Sequence, residues 1–207
     1  ILSIFIDEAG INRDSAILVE TPDQKKFLNL NDCKIYDRIP YINEKHGPID
    51  IFACQFTGAT MHPICYDLDP DAYKRIVKKK RIGKFSGVSK AIKELSPRMY
   101  IPSAGPACFL DPLLFHLNFE EETIFPKAWE FKAFLESRKL KCEIPSLGPW
   151  DAIDMNSFKI FSQSEEQVNP QNYKRYLDEY QKMVFPENKV NEISNERVSE
   201  KLIEILS

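Results

Sequence analysis

One stretch constrains this chain more than any other: Ile49-Asp50-Ile51-Phe52-Ala53-Cys54-Gln55-Phe56. It is almost continuously apolar, it is the length of a strand, and it does not alternate. Such a run reads as a β-strand buried on both faces, which needs strands beside it and further layers above and below. A loop follows from Thr57 to Asp69. Asp69-Pro70 then has the form of a helix start, a side-chain cap followed by proline at the first helical position. The helical pattern extends to about Leu95, with Gly83 and Gly87 as candidate breaks, and Pro97 ends it. Arg98-Met99-Tyr100-Ile101-Pro102 is a second short strand. Strand, long helix and strand form a βαβ unit, so Ile49–Phe56 and Tyr100–Ile101 are expected to run parallel in one sheet. Tyr73, Ile76, Val77, Ile92 and Leu95 should face that sheet and the helix lysines should face outward.

The other elements are read from the same signals. Ile1–Ile6 is strand-like. Asp14–Glu20 and Lys26–Asn31 flank the turn chemistry of Thr21-Pro22-Asp23-Gln24 and predict an antiparallel hairpin. Residues 109–125 are loop-rich, with a short turn at 111–114. Pro126–Arg138 is predicted helical, with Trp129, Phe131, Phe134 and Leu135 as its apolar face. Helices are also expected over Pro170–Met183, striped by Tyr173, Tyr176, Leu177 and Tyr180, and over Asn195–Leu206. The expected division is residues 1–150 as an α/β domain and residues 151–207 as a helical C-terminal extension.

Charge and cysteine usage limit the function classes. A net charge of -3 has the wrong sign for a chain that binds nucleic acid through its whole surface. No apolar run approaches the roughly 20 residues of a membrane-spanning helix. Asp7 and Glu8 break the first apolar stretch at once, and no basic segment precedes it, unlike a signal peptide. The chain opens on Ile1, inside a strand, so an upstream segment of the same domain is expected. Cys33, Cys54, Cys65, Cys108 and Cys142 are odd in number and form no C-x-x-C pair. Buried thiols in a reducing, cytoplasmic compartment are the expectation. His46, His62 and His116 show no metal-binding spacing.

Candidate binding residues follow the strands. Thr57, Gly58 and Thr60 come after the buried strand, at the strand end where α/β proteins commonly bind ligands. The hydroxyls can donate to a phosphate or sugar, and Gly58 permits close backbone approach; the same residues also suit a plain turn. Ala104 and Gly105, between Ser103 and Pro106, form either a second cleft wall or a tight turn. His62 and Tyr66 lie in the loop between and can touch substrate or remain structural. Lys74, Arg75, Lys78, Lys79, Lys80, Arg81 and Lys84 cluster on the long helix. They suit an anionic small-molecule substrate or a solvated helix face.

Several segments in order carry a family resemblance: Asp14-Ser15-Ala16, Leu28-Asn29-Leu30-Asn31-Asp32-Cys33, His46-Gly47-Pro48-Ile49-Asp50, Gln55-Phe56-Thr57-Gly58-Ala59, Pro63-Ile64-Cys65-Tyr66-Asp67, and Pro102 through Asp111. The series resembles metallo-β-lactamase-fold proteins of the branch that includes CMP-N-acetylneuraminate hydroxylase and the L-ascorbate-6-phosphate lactonase-like hydrolases. The resemblance implies the C-terminal portion of such a fold: α/β, a mixed sheet with a βαβ unit, plus C-terminal helices. It also implies that Asp32, at the end of a hairpin strand, is a metal ligand; position alone favours a cap on the turn after the strand.

The resemblance further implies a zinc or other divalent-metal hydrolase acting on a phosphorylated or nucleotide-linked small molecule. Catalysis would need an upstream histidine motif, H-x-H-x-D-H, that this sequence lacks. One ligand falls short of the three or four that zinc sites use. The chain alone is therefore expected to bind metal weakly and to hydrolyse nothing. Two alternatives stand beside this expectation: part of a Rieske-type nucleotide-sugar hydroxylase, or a non-catalytic binding module. The paired Cys and His motifs of a Rieske cluster do not occur here.

Overall fold

The structure is a computed structural model and describes residues 1–8, 14–58, 60–163 and 166–185. Five strands form a mixed sheet in sequence order: β1 (Leu2–Asp7), β2 (Asp14–Glu20), β3 (Lys26–Asn31), β4 (Ile51–Gln55) and β5 (Met99–Ser103). The first three are antiparallel neighbours; β3, β4 and β5 are parallel. The hairpin turn closes where Gln24 donates to Thr21 across 3.0 Å. Every residue of β4 is buried, as a central strand covered on both faces requires. Ile51 to Gln55 pair residue by residue with Met99 to Ser103.

Two helices carry the parallel crossovers. The short α1 (Ile39–His46) links β3 to β4, and α2 (Pro70–Leu95) links β4 to β5. Asp69 caps α2 by accepting from the backbone of Asp71 and Ala72 at 3.1 and 2.9 Å. The helix then runs 26 residues without a break at Gly83 or Gly87. At Gly87 an added Cβ would only reach ordinary contact, 3.6 Å, with the Tyr36 ring. The helix ends where Ser96 adopts a left-handed conformation, φ 44°.

The apolar stripe expected on α2 is the observed one, with Lys84 as the exception among the outward lysines. Val77, Ile92 and Leu95 are buried, together with Phe85, Val88 and Ala91. Tyr73 and Ile76 are half-buried, while Lys78, Lys79 and Lys80 are exposed. Against one face of the sheet, Ile39 and Ile42 of α1 and the α2 stripe pack with Leu28, Leu30, Phe52 and Tyr100. Helix α3 (Ala128–Ser137) adds Phe131 and Leu135. Phe131 sits among the rings of Phe56, Phe85 and Tyr100, with centroids 5.6, 4.8 and 5.6 Å away.

The opposite face is covered only locally. Phe158, near the small hairpin of β6 (Ala152–Ile153) and β7 (Ile160–Phe161), packs on Ile51 and Met99. Leu2, Ile4 and Ile6 of β1, with Ile17 and Val19 of β2, remain exposed. The cross-strand pairs Leu2–Val19 and Ile4–Ile17 put these side chains on one face.

The chain divides into two compact units: residues 1–107 with 120–170, and residues 108–119 with 171–207. Within the second unit, α4 (Tyr173–Val184) buries Leu177, while Tyr180 is exposed. The rings of Phe119 and Tyr173 meet edge-on there at 6.1 Å. The helix expected over Asn195–Leu206 lies outside the described residues. No described helix is long and apolar enough to cross a membrane.

Candidate functional site

Because β3, β4 and β5 are parallel, their carboxyl ends open on one edge of the sheet. At the end of β3 the register shifts between Asn29 and Asn31. Asn31 takes φ 50°, and its backbone N–H is held by the Asn29 side chain at 2.8 Å. This kink delivers Asp32 to the edge, exposed, where its carboxylate accepts from the Asn31 amide at 3.2 Å.

The ends of β4 and β5 are tied together by Gln55. Its amide donates to the Ala104 carbonyl at 3.0 Å. Its side-chain oxygen accepts from Lys84 of α2 at 3.1 Å. Ala104 and Gly105 both have positive φ, 52° and 148°. A Cβ on Gly105 would collide with the Thr57 hydroxyl, so glycine is required on steric and backbone grounds alike. Ser103 Oγ, beside this turn, is buried without a hydrogen-bond partner.

Between these strand ends and α2 lies a cleft of about 750 Å³. Asp32, Thr57 and Gly58 line it, as do Lys34, Lys79, Lys80 and Lys84. Apolar wall comes from Phe56, Ile76, Ile124 and Pro126. The size falls within the roughly 300–1,000 Å³ of small-molecule sites. Burial holds the Lys84 ammonium below its ordinary range, and the nearby Lys34 charge acts the same way; Cys54 and Asp32 oppose them. Beneath the cleft, the Tyr36 hydroxyl and the Cys54 thiol lie 3.4 Å apart. Desolvation pushes Tyr36 up, and it pushes Cys54 up to about 11.

The remaining residues expected at the site stand differently. Ala104 and Gly105 support the cleft through Gln55 and Thr57 without lining it. His62 and Tyr66 pack ring against ring at 4.9 Å and are not in the cleft wall. The His62 carbonyl instead accepts from Lys80 at 2.8 Å. Arg81 is bound to Glu130 at 2.7 Å, and Glu130 also accepts the backbone N–H of Lys127 at the start of α3. Among the described residues, no three His, Cys, Asp or Glu side chains gather as a metal-holding group.

Two cleft residues appear in the sequence reading only as members of longer stretches. Gln55 is the one uncharged polar residue in the apolar run of β4, and that placement was its signal. By sequence, Lys84 falls in the basic cluster whose members are expected to face outward. Yet it follows Val77 by seven residues and precedes Val88 by four, so it sits on the buried stripe of α2.

No family model matches the chain, and no solved structure matches it. Relatives are found among mycobacterial proteins. Two, from different strains of Mycobacterium tuberculosis, are 32% identical over 121 residues, 57% of this chain and 23% of theirs. One from Mycolicibacterium smegmatis is 31% identical over the same share of each chain. All three carry the name Rieske 2Fe-2S iron-sulfur protein. The match thus spans less than a quarter of the relatives' length.

These relatives correct the expectation of a metallo-β-lactamase-fold hydrolase and of zinc as its cofactor. The segments behind that expectation are short pieces of strand and loop, from the start of β2 to the stretch after β5. Several hold turn residues that any sheet with parallel strands and tight turns at one edge needs, so their order does not single out one fold. Among the described residues, Asp32, the one ligand offered, belongs to no group of three or more His, Cys, Asp or Glu side chains that could hold a metal. Over 57% of its length, this chain resembles a segment of longer mycobacterial proteins that bear the Rieske 2Fe-2S name.

Proposed function

We propose that this chain is part of a Rieske-type iron–sulfur protein, and that its cleft receives an anionic small-molecule substrate. The similarity over 121 residues to proteins named for a 2Fe-2S cluster carries this reading. The lysine-lined cleft supports its second half. A Rieske centre needs two cysteines and two histidines brought together. The described residues do not provide that set. The cluster therefore belongs, in this reading, to a part of the polypeptide outside the matched segment, and no electron-transfer step is assigned to the residues here. This chain's own contribution is to bind and orient the substrate and to hold it away from water against Phe56, Ile76 and Ile124. A cytoplasmic location fits five cysteines, none of which is in a disulfide.

The test is spectroscopic. The full-length gene product, reduced with dithionite, should give the low-temperature electron paramagnetic resonance signal of a Rieske centre, and its sequence should contain C-x-H and C-x-x-H motifs. Absence of both the motifs and bound iron from the full-length protein would sink the reading.

A further inference from the structure

We infer that the cleft at the carboxyl edge of the sheet is a phosphoryl-binding site, with Lys84 at its base and Lys34, Lys79 and Lys80 around its mouth. This inference rests on the proposal that the cleft takes an anionic substrate, and it names the anion.

The charge distribution is the first argument. The chain as a whole carries -3, yet four lysines line this cleft against one carboxylate, Asp32. A positive patch of this density on an acidic protein focuses attraction on a single place. The second argument is the type of cation. Lysine binds phosphate as a point charge, and several such charges around one cleft match a multiply charged phosphoryl group better than a singly charged carboxylate. The cleft's arginine, Arg81, already gives its guanidinium to Glu130 at 2.7 Å. What remains available is lysine.

Lys84 is the informative member. It is half-buried, it forms no ion pair among the described residues, and it is aimed by the Gln55 side chain at 3.1 Å. Gln55 is itself fixed by the Ala104 carbonyl. A desolvated ammonium positioned by a neutral hydrogen bond keeps most of its charge for an incoming anion, and its attraction is stronger there than in open water. Thr57 stands on the same wall, and Phe56, Ile76 and Ile124 supply apolar surface for the uncharged remainder of the ligand. The ligand class is therefore a phosphate ester or diphosphate joined to a ring or other apolar body.

The experiment is calorimetric titration of this chain with inorganic pyrophosphate, and with acetate at matched ionic strength. Pyrophosphate should bind and acetate should not. Lys84→Met should weaken pyrophosphate at least about tenfold, and the exposed double variant Lys79→Ala/Lys80→Ala should weaken it several-fold. The double variant keeps the test sharp if the Lys84 variant folds poorly. Equal binding of the two anions, or unchanged pyrophosphate affinity in both variants, overturns the inference. The titration needs no iron, so its failure leaves the cluster measurement on the full-length protein standing, and the reverse also holds.

Discussion

Lys84 of α2 donates to the side-chain oxygen of Gln55 at the end of β4, across 3.1 Å. The same glutamine holds the Ala104 carbonyl at 3.0 Å, so one buried side chain joins the long helix to two strand ends. Gln55→Leu keeps the bulk and removes both bonds. It leaves a desolvated ammonium and a carbonyl without their partner. The expected loss is about 1–3 kcal/mol of unfolding free energy. Urea unfolding at neutral pH measures it, and an unchanged midpoint would show that Gln55 ties nothing together.

Gly105 combines φ 148° with a side-chain-free approach to Thr57. Gly105→Ala should destabilise by about 2–3 kcal/mol, from backbone strain and steric overlap together. Adding Thr57→Ala relieves the overlap and leaves the strain. A double-mutant cycle should therefore recover part of the loss; strictly additive effects would mean the two residues do not press on each other.

Phe131 is fully buried and packs against three other aromatic rings that come from the sheet edge and from α2. Phe131→Ala should cost about 3–5 kcal/mol. That is a large share of the roughly 5–15 kcal/mol by which domains are stable. Equilibrium denaturation monitored by circular dichroism gives the figure, and a loss below about 1 kcal/mol would mean α3 is peripheral.

Alkaline pH should weaken the fold through Cys54. Burial raises its pKa from 9.0 to about 11. The folded state thus keeps a proton that the unfolded state releases. The associated stability is complete below pH 9 and is lost as pH rises through about 11. Two units correspond to on the order of 2–3 kcal/mol. Lys84 has the opposite sign: its pKa is lowered, so its charging penalty is relieved as pH approaches 10.5 from below. Unfolding midpoints from pH 8.5 to 11, compared with those of Cys54→Ala, separate the two. A pH profile identical in both proteins would remove Cys54 from the account.

Much of the frame was legible because it rests on local patterning. The buried strand, the Asp69-Pro70 helix start and the hairpin turn each announce themselves within a few residues. Helix α1 did not: eight residues are too few to establish a helical period. The cleft was legible only in outline. Thr57, Gly58 and Asp32 follow strands, and parallel pairing carries them to one edge. Gln55 and Lys84 act through a contact between residues 29 positions apart, which no local pattern encodes. The family resemblance misleads for a related reason, since short pieces of strand and loop report backbone geometry more than ancestry.

The bare side of β1 and β2 has a colloidal consequence. Leu2, Ile4, Ile6, Ile17 and Val19 form a greasy strip on β1 and β2, and among the described residues no strand pairs with the outer edge of β1. Strips of this kind adhere to one another when molecules crowd. The chain handled alone should therefore have a ceiling on the concentration at which it stays dispersed. A single lysine at position 4 would raise that ceiling without touching the cleft at the other end of the sheet.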